Sequence, residues 1–105
     1  MPKRLAGFEE LVLLATAALG DDAYGVTVQQ RLEKETGSAV AIGAVYAVLE
    51  RLEEKGFVRS SWGDATPQRG GRRKRMFRVT APGLAALREM GRIRSRLSQP
   101  IPRHA

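Results

Sequence analysis

The fold is decided by residues 42–79, which read IGAVYAVLERLEEKGFVRSSWGDATPQRGGRRKRMFRV. In residues 42–55 the apolar side chains recur every three or four positions, which predicts an amphipathic helix. The side chains expected on its buried face are Ile42, Val45, Leu49 and Leu52. Beyond this helix the pattern alternates between apolar and polar, which predicts two strands, 57–62 and 72–80, around a loop rich in glycine and proline. A helix followed by a β-hairpin is therefore the centre of the fold.

Two further helices are predicted before this centre. Residues 8–19 are apolar on nearly every side, so we expect a helix that is central in the domain and shared with a second subunit. Residues 24–36 form an amphipathic helix that turns Val28 and Leu32 inward. The expected boundary residues are Asp21 and Asp22 as caps of the second helix, with Gly20, Gly37 and Gly56 as C-terminal stops.

A last helix is predicted over residues 82–97, with Thr80 as its N-cap. Its apolar stripe has little surface of its own domain to cover, so we expect it to pair with a second copy of the chain. The alternative is that it folds back on its own domain. The expected dimer interface consists of Phe8, Leu11, Leu84, Leu87, Met90 and Leu97. Residues 98–105 are expected to form a disordered tail.

The order of these elements is that of a winged helix-turn-helix, in which three helices precede a two-stranded wing. The expected fold class is mainly α with a small β-hairpin. We expect a winged-helix domain over residues 1–80 and a dimerisation helix over residues 81–97. A chain of 105 residues has little room for a second hydrophobic core.

The charge of the chain is divided unevenly between its halves. Residues 1–56 hold six Lys and Arg against nine Asp and Glu, whereas residues 57–105 hold twelve against two. The net charges of −3 and +10 give the +7 of the whole chain. An excess of positive charge confined to one half favours a surface that binds a polyanion, and nucleic acid is the leading candidate.

The candidate DNA-binding residues fall into two groups. Small residues on the outward face of the third helix would let it enter a major groove, where an arginine and a tyrosine can pair with bases or phosphates. This group is Gly43, Ala44, Tyr46, Ala47 and Arg51. Tyr46 has an alternative interpretation as a partly buried aromatic whose hydroxyl is satisfied by a local hydrogen bond. The second group lies at the glycine-flanked tip of the wing and would bind phosphates: Arg69, Arg72, Arg73, Lys74 and Arg75.

Several other functions fit the sequence poorly. An enzyme is not expected, because the single histidine, His104, lies in the predicted tail and no metal-ligand cluster or phosphate-binding loop is present. No cofactor is expected either. Lys3 and Arg4 before an apolar run resemble a signal peptide, but Glu9 and Glu10 interrupt that pattern. With no cysteine and no membrane span, we expect a cytoplasmic protein.

Several strings of residues together resemble the signature of the PadR-like transcriptional regulators. They are LERLEEKGFV at 49–58, GAVY at 43–46 and KRMFRVT at 74–80, with the pair Tyr24-Gly25 and the residues Gly83 and Leu87. The resemblance covers residues 11–87, which is nearly all of the part expected to be ordered.

The resemblance implies a homodimer that binds a double-stranded DNA operator with dyad symmetry and usually represses transcription. It also implies that DNA contacts come from Tyr46 and from the wing residues Arg72, Arg73 and Lys74. In some members a small-molecule effector releases the DNA. The chain departs from the pattern at Ala47, where many members have proline, and in lacking a long C-terminal helical domain. The competing function is a basic module that binds an acidic protein or RNA without operator specificity.

Overall fold

A computed structural model describes Leu5, residues 7–63 and residues 73–99. The described part is mainly helical and contains one two-stranded antiparallel hairpin, as predicted. The elements in chain order are α1 (Gly7–Leu19), a short 3-10 turn (Gly20–Asp22), α2 (Gly25–Thr36), α3 (Ile42–Glu54), β1 (Val58–Trp62), β2 (Arg75–Val79) and α4 (Ala81–Ser98). The three-helix order and the wing are those of a winged helix-turn-helix.

The prediction that Asp21 and Asp22 cap α2 is wrong. Both lie in the 3-10 turn, and Asp21 forms an ion pair with Arg78 of β2 at 2.6 Å. The α2 start is stabilised instead by Thr27, whose Oγ1 accepts a hydrogen bond from the Tyr24 N–H at 3.0 Å. Tyr24 is extended and forms a β-bridge to β2, so α2 begins only at Gly25. Two residues, Ala23 and Tyr24, therefore separate Asp22 from the helix.

The hairpin is shorter than predicted at its tip. β2 begins at Arg75 rather than at residue 72, and it pairs with β1 in a register that places Val58 opposite Val79 and Trp62 opposite Arg75. The segment between α1 and α2 is hydrogen-bonded to the edge of β2 that faces away from β1. The Phe77 N–H donates to the Ala23 carbonyl at 2.8 Å. The wing is therefore bonded to the helices along β2.

One hydrophobic core joins α1, α2, α3 and the hairpin. Its fully buried centre holds Leu13, Val28, Val45, Leu49 and Leu52. The expectation that Ile42 belongs to this core is wrong: Ile42 lies in the first turn of α3 and is 36% exposed, whereas Val48 is buried. Ile42 is at the edge of the buried stripe because a helix advances about 100° per residue.

Two acidic side chains of α1 are buried, and both form ion pairs with distant parts of the chain. Glu9 accepts hydrogen bonds from Lys55 Nζ at 2.8 and 3.0 Å, and Glu10 pairs with Arg94 of α4. These contacts satisfy two carboxylates that would be costly to bury alone. They also fasten α1 to the end of α3 and to α4.

The start of α4 is fixed to the base of the wing. Thr80 is its N-cap, as predicted: Thr80 Oγ1 accepts from the Gly83 N–H at 3.1 Å and donates to the Gly56 carbonyl at 2.6 Å. α4 continues through Ser98, so the prediction that the tail begins at residue 98 is wrong by one residue. Residues 100–105 lie outside the described part of the chain. Within the described ranges no helix is long and apolar enough to cross a membrane.

Candidate nucleic-acid interface

The outward face of α3 carries the first group of predicted DNA-binding residues. Gly43, Ala44, Tyr46, Ala47 and Arg51 are all exposed. The small residues lie in the first two turns, so the N-terminal half of α3 presents a smooth surface that another surface can approach closely. This is the half of a recognition helix that normally contacts base edges.

Tyr46 lies over the first residue of α2. A Cβ atom added to Gly25 would lie only 2.3 Å from Tyr46 Cζ, so the ring packs directly against the backbone of this glycine. The ring is nevertheless 40% exposed, and its hydroxyl forms no hydrogen bond within residues 7–63 or 73–99. The ring is therefore packed as in the alternative interpretation, but the local hydroxyl partner of that interpretation is not found among the described residues. The contact of Tyr46 with DNA stays a prediction.

The described part of the basic wing segment lies beside this face. Arg73 is exposed, and Lys74 Nζ lies 4.4 Å from the centroid of the Tyr24 ring, a cation–π contact between the wing and the start of α2. Arg69 and Arg72 lie outside the described residues. Of the five predicted wing residues, Arg73 and Lys74 line one cleft together with Tyr46 of α3.

Arg75 is placed differently from the expectation of a free cation at the wing tip. Its guanidinium forms ion pairs with Glu50 and with Glu53, the latter at 2.7 Å, and its side chain is half-buried. The reason is its position in β2, where it alternates with Phe77 and Val79 and so shares their inward face. Alternation in the sequence separates Arg75 from Lys74 but not from Arg73, which is exposed because it lies before the observed start of β2.

The charges of this ion-pair cluster are stabilised by their surroundings. Hydrogen bonds from Ser60 and the nearby Arg75 guanidinium lower the pKa of Glu53 below its ordinary value. The hydrogen bond to Glu50, together with the charge of the two carboxylates, raises the pKa of Arg75. Both groups are therefore charged at neutral pH.

A cleft of about 500 Å³ is lined by the tip end of the wing, by Tyr46 of α3 and by the start of α2. Trp62, at the tip end of β1, is 65% exposed and lies on the wall of this cleft. The full lining is Tyr24, Val26, Tyr46, Trp62, Arg73, Lys74 and Arg75.

The arrangement suits binding rather than catalysis. Among the described residues, no group of three His, Cys, Asp or Glu side chains is placed to hold a metal ion. The cleft combines aromatic rings with positive charge, a combination that fits nucleic acid.

Comparison with known proteins identifies the family. The model of the transcriptional regulator PadR-like family matches residues 13–89, from α1 through the wing and into α4. The chain belongs to the PadR-like family. The members of this family are transcriptional regulators, which bind DNA and are not enzymes.

Relatives and solved structures agree with this assignment. An uncharacterised protein from Lysinibacillus sphaericus is 35% identical over 74 residues, which are 69% of this chain and 65% of that protein. A PadR-like transcription factor from Bacteroides fragilis shares the fold with a TM-score of 0.74 at 23% identity, over 88% of this chain and 84% of the other. A PadR family regulator from Eggerthella lenta, at 29% identity, has a TM-score of 0.68 over 83% and 73% of the two chains.

Proposed function

We propose that this PadR-like protein is a homodimeric repressor that binds a double-stranded DNA operator with dyad symmetry. The observation that carries the proposal is the juxtaposition of the small-residue face of α3 with the basic wing segment at Arg73 and Lys74. A recognition helix in the major groove and a wing on the flanking backbone need this side-by-side arrangement.

The wing would provide most of the affinity for DNA, and α3 would provide the sequence specificity. The basic segment of the wing would neutralise phosphates and so provide affinity for any duplex. Its residues are Arg73 and Lys74, together with Arg69 and Arg72 earlier in the sequence. Gly43, Ala44 and Ala47 would let α3 approach the bases, with Arg51 and the Tyr46 hydroxyl adding polar contacts. Because α3 itself has only one basic residue near its outward face, most of the affinity would come from the wing.

Dimerisation is supported by apolar side chains that the monomer leaves exposed. Phe8 and Leu11 on α1, and Leu84 and Leu97 on α4, are exposed, and Leu97 reaches 70%. Leu14 of α1, which was not among the predicted interface residues, is exposed as well. A second subunit would remove these side chains from water.

Two of the predicted interface residues have a partner in their own domain. Leu87 and Met90 are partly buried and pack against the core, so α4 does fold back in part on its own domain. We therefore propose an interface built on the outer side of α1 and on the exposed ends of the α4 stripe. A dimer of this kind would present two copies of α3 to two half-sites, and a protein bound there would exclude other proteins from a promoter.

The proposal is tested by comparing a duplex from the region upstream of the protein's own gene with a random duplex of equal length. At the same salt concentration the upstream duplex should bind at least about tenfold more tightly. Equal affinity would contradict an operator-binding repressor. Tighter binding to RNA of the same sequence would favour the competing function of a basic RNA-binding module.

Variants separate the two parts of the surface. Replacing Arg72, Arg73 and Lys74 by alanine should weaken binding to every duplex and flatten its salt dependence. Tyr46→Phe and Arg51→Ala should weaken binding mainly to the upstream duplex. An unchanged salt slope in the wing variant would show that the wing does not touch phosphates.

A further inference from the structure

One carboxylate of α3 is bonded to both strands of the wing. Glu53 Oε2 accepts hydrogen bonds from the Ser60 N–H at 2.9 Å and from the Ser60 hydroxyl at 2.6 Å, both from β1. Glu53 Oε1 accepts from Arg75 Nη2 of β2 at 2.7 Å. A single side chain therefore joins the recognition helix to the two strands that carry the basic segment.

Arg75 extends this connection to a second point on α3. Its Nη1 pairs with Glu50, one turn before Glu53, and its guanidinium lies 5.0 Å from the centroid of the buried Phe77 ring. Hydrogen bonds between charged groups are stronger than neutral ones, and a planar guanidinium that spans two carboxylates also fixes an orientation. The side chain is thus fixed from two sides.

The contact between Arg75 and Glu53 lies at the end of the hairpin that carries the basic segment. Arg75 is the first residue of β2 and pairs with Trp62, the last residue of β1, so the contact is at the tip end of the wing. Arg73 and Lys74 come directly before it in the chain. A hairpin of two short strands has little rigidity of its own, so its angle depends on what holds it.

We propose that Glu53 and Arg75 are positioning residues for DNA recognition, which hold the wing at the angle where the basic segment and α3 contact one duplex together. The inference rests on the proposed function and assigns Arg75 a role different from phosphate binding. Preorganisation of this kind improves affinity because fewer groups must be ordered on binding.

The two roles of Arg75 predict opposite effects for its partner. If Arg75 binds phosphate, Glu53 is only a nearby negative charge that repels DNA, and Glu53→Gln strengthens binding. If Arg75 positions the wing, Glu53→Gln weakens binding although it makes the protein more positive. Glu54→Gln is the matched control, because Glu54 is an exposed acid on the same helix and forms no hydrogen bond or ion pair within the described part of the chain.

The experiment measures binding of the full chain and of three variants to the upstream and random duplexes over a range of salt concentrations. The variants are Glu53→Gln, Arg75→Lys and Glu54→Gln, and stoichiometric titration corrects each for its active fraction. We expect Glu53→Gln and Arg75→Lys to bind about three- to tenfold more weakly than the parent, as expected for a lost charge-assisted contact. Glu54→Gln should bind as the parent does or slightly more tightly.

The salt slope distinguishes a positioning role from a loss of stability. A wing that no longer contacts the DNA backbone loses the phosphate contacts of Arg73 and Lys74. The magnitude of the slope of log affinity against log salt should therefore fall by up to about 2. A variant that is only less stable would keep the parental slope once its active fraction is corrected.

Three results would overturn the inference: Glu53→Gln binding as tightly as Glu54→Gln, Arg75→Lys binding as the parent does, or weaker binding with an unchanged slope. Failure of the proposed function would be recognised separately, because the parent itself would then not distinguish the upstream duplex from the random one. In that case a flatter slope in Glu53→Gln on both duplexes would still support the positioning role.

Discussion

Replacing Gly83 by alanine should loosen the attachment of α4 to the wing. A Cβ atom at this position would lie 2.2 Å from the Phe57 carbonyl oxygen and 2.9 Å from Val79 Cγ1. A comfortable contact between carbon and a carbonyl oxygen needs about 3.3 Å, so α4 and the backbone just before β1 must move apart by about 1 Å. The Phe57 oxygen belongs to the backbone and cannot turn away as a side chain would.

The expected cost follows from three contributions. Forcing extra atoms into a packed contact costs about 1–3 kcal/mol. The same shift strains the hydrogen bond from the Gly83 N–H to Thr80 Oγ1, and a lost N-cap costs about 1 kcal/mol. Replacing glycine by alanine in a helix returns up to about 1 kcal/mol. The net loss is about 2 kcal/mol, which lowers the unfolding midpoint by roughly 8–16 °C in a domain of this size.

Thermal unfolding followed by circular dichroism measures this effect. Gly91→Ala is the control in the same helix, because a Cβ atom at Gly91 meets nothing within 4 Å. That variant should gain about 0.5–1 kcal/mol. All samples need the same protein concentration, since a dimer is stabilised by mass action. If Gly83→Ala stabilised the protein as Gly91→Ala does, the close packing of α4 on Phe57 would be refuted.

Three further predictions concern the wing, the dimer and acid stability. Replacing both Arg73 and Lys74 by alanine should reduce the salt slope of binding to random duplex by about 2, and an unchanged slope would exclude both as phosphate contacts. Leu14→Glu should convert the dimer to a monomer in light scattering at a protein concentration where the exposed Lys34→Glu control stays dimeric. Because the folded state lowers the pKa of Glu53, its contribution to stability is present above the ordinary value of 4.5 and is lost as the pH falls through and below it. Glu53→Gln should therefore show a weaker loss of stability between neutral and acidic pH, and an acid-unfolding curve parallel to that of the parent would contradict this.

Local patterns in the sequence predicted most of the fold. The change of period after Gly56 predicted the helix and the hairpin, and Thr80 was correctly recognised as the cap of α4. Gly37 ends α2 with a φ of 70°, as a C-terminal glycine should. These features depend on residues close together in the chain, and such residues leave a local signal.

Contacts between distant residues were not predictable in the same way. Glu9 pairs with Lys55, and Glu10 with Arg94, across 46 and 84 positions of the chain. Nothing near Glu9 or Glu10 indicates that they are buried, because the partners come from other elements. Strand alternation in the sequence favours an inward position for Arg75, but the run of neighbouring basic residues led to the prediction of a phosphate contact instead.

A hydroxyl-radical footprint on the upstream duplex tests the central claim most directly. A dimer with two recognition helices should protect two half-sites related by dyad symmetry, with their centres about 10 base pairs or a multiple of that distance apart. The wing variant lacking Arg73 and Lys74 should lose the protection that flanks each half-site. Uniform weak protection along the whole duplex, or a single protected half-site with one protomer bound, would contradict a dimeric operator-binding repressor.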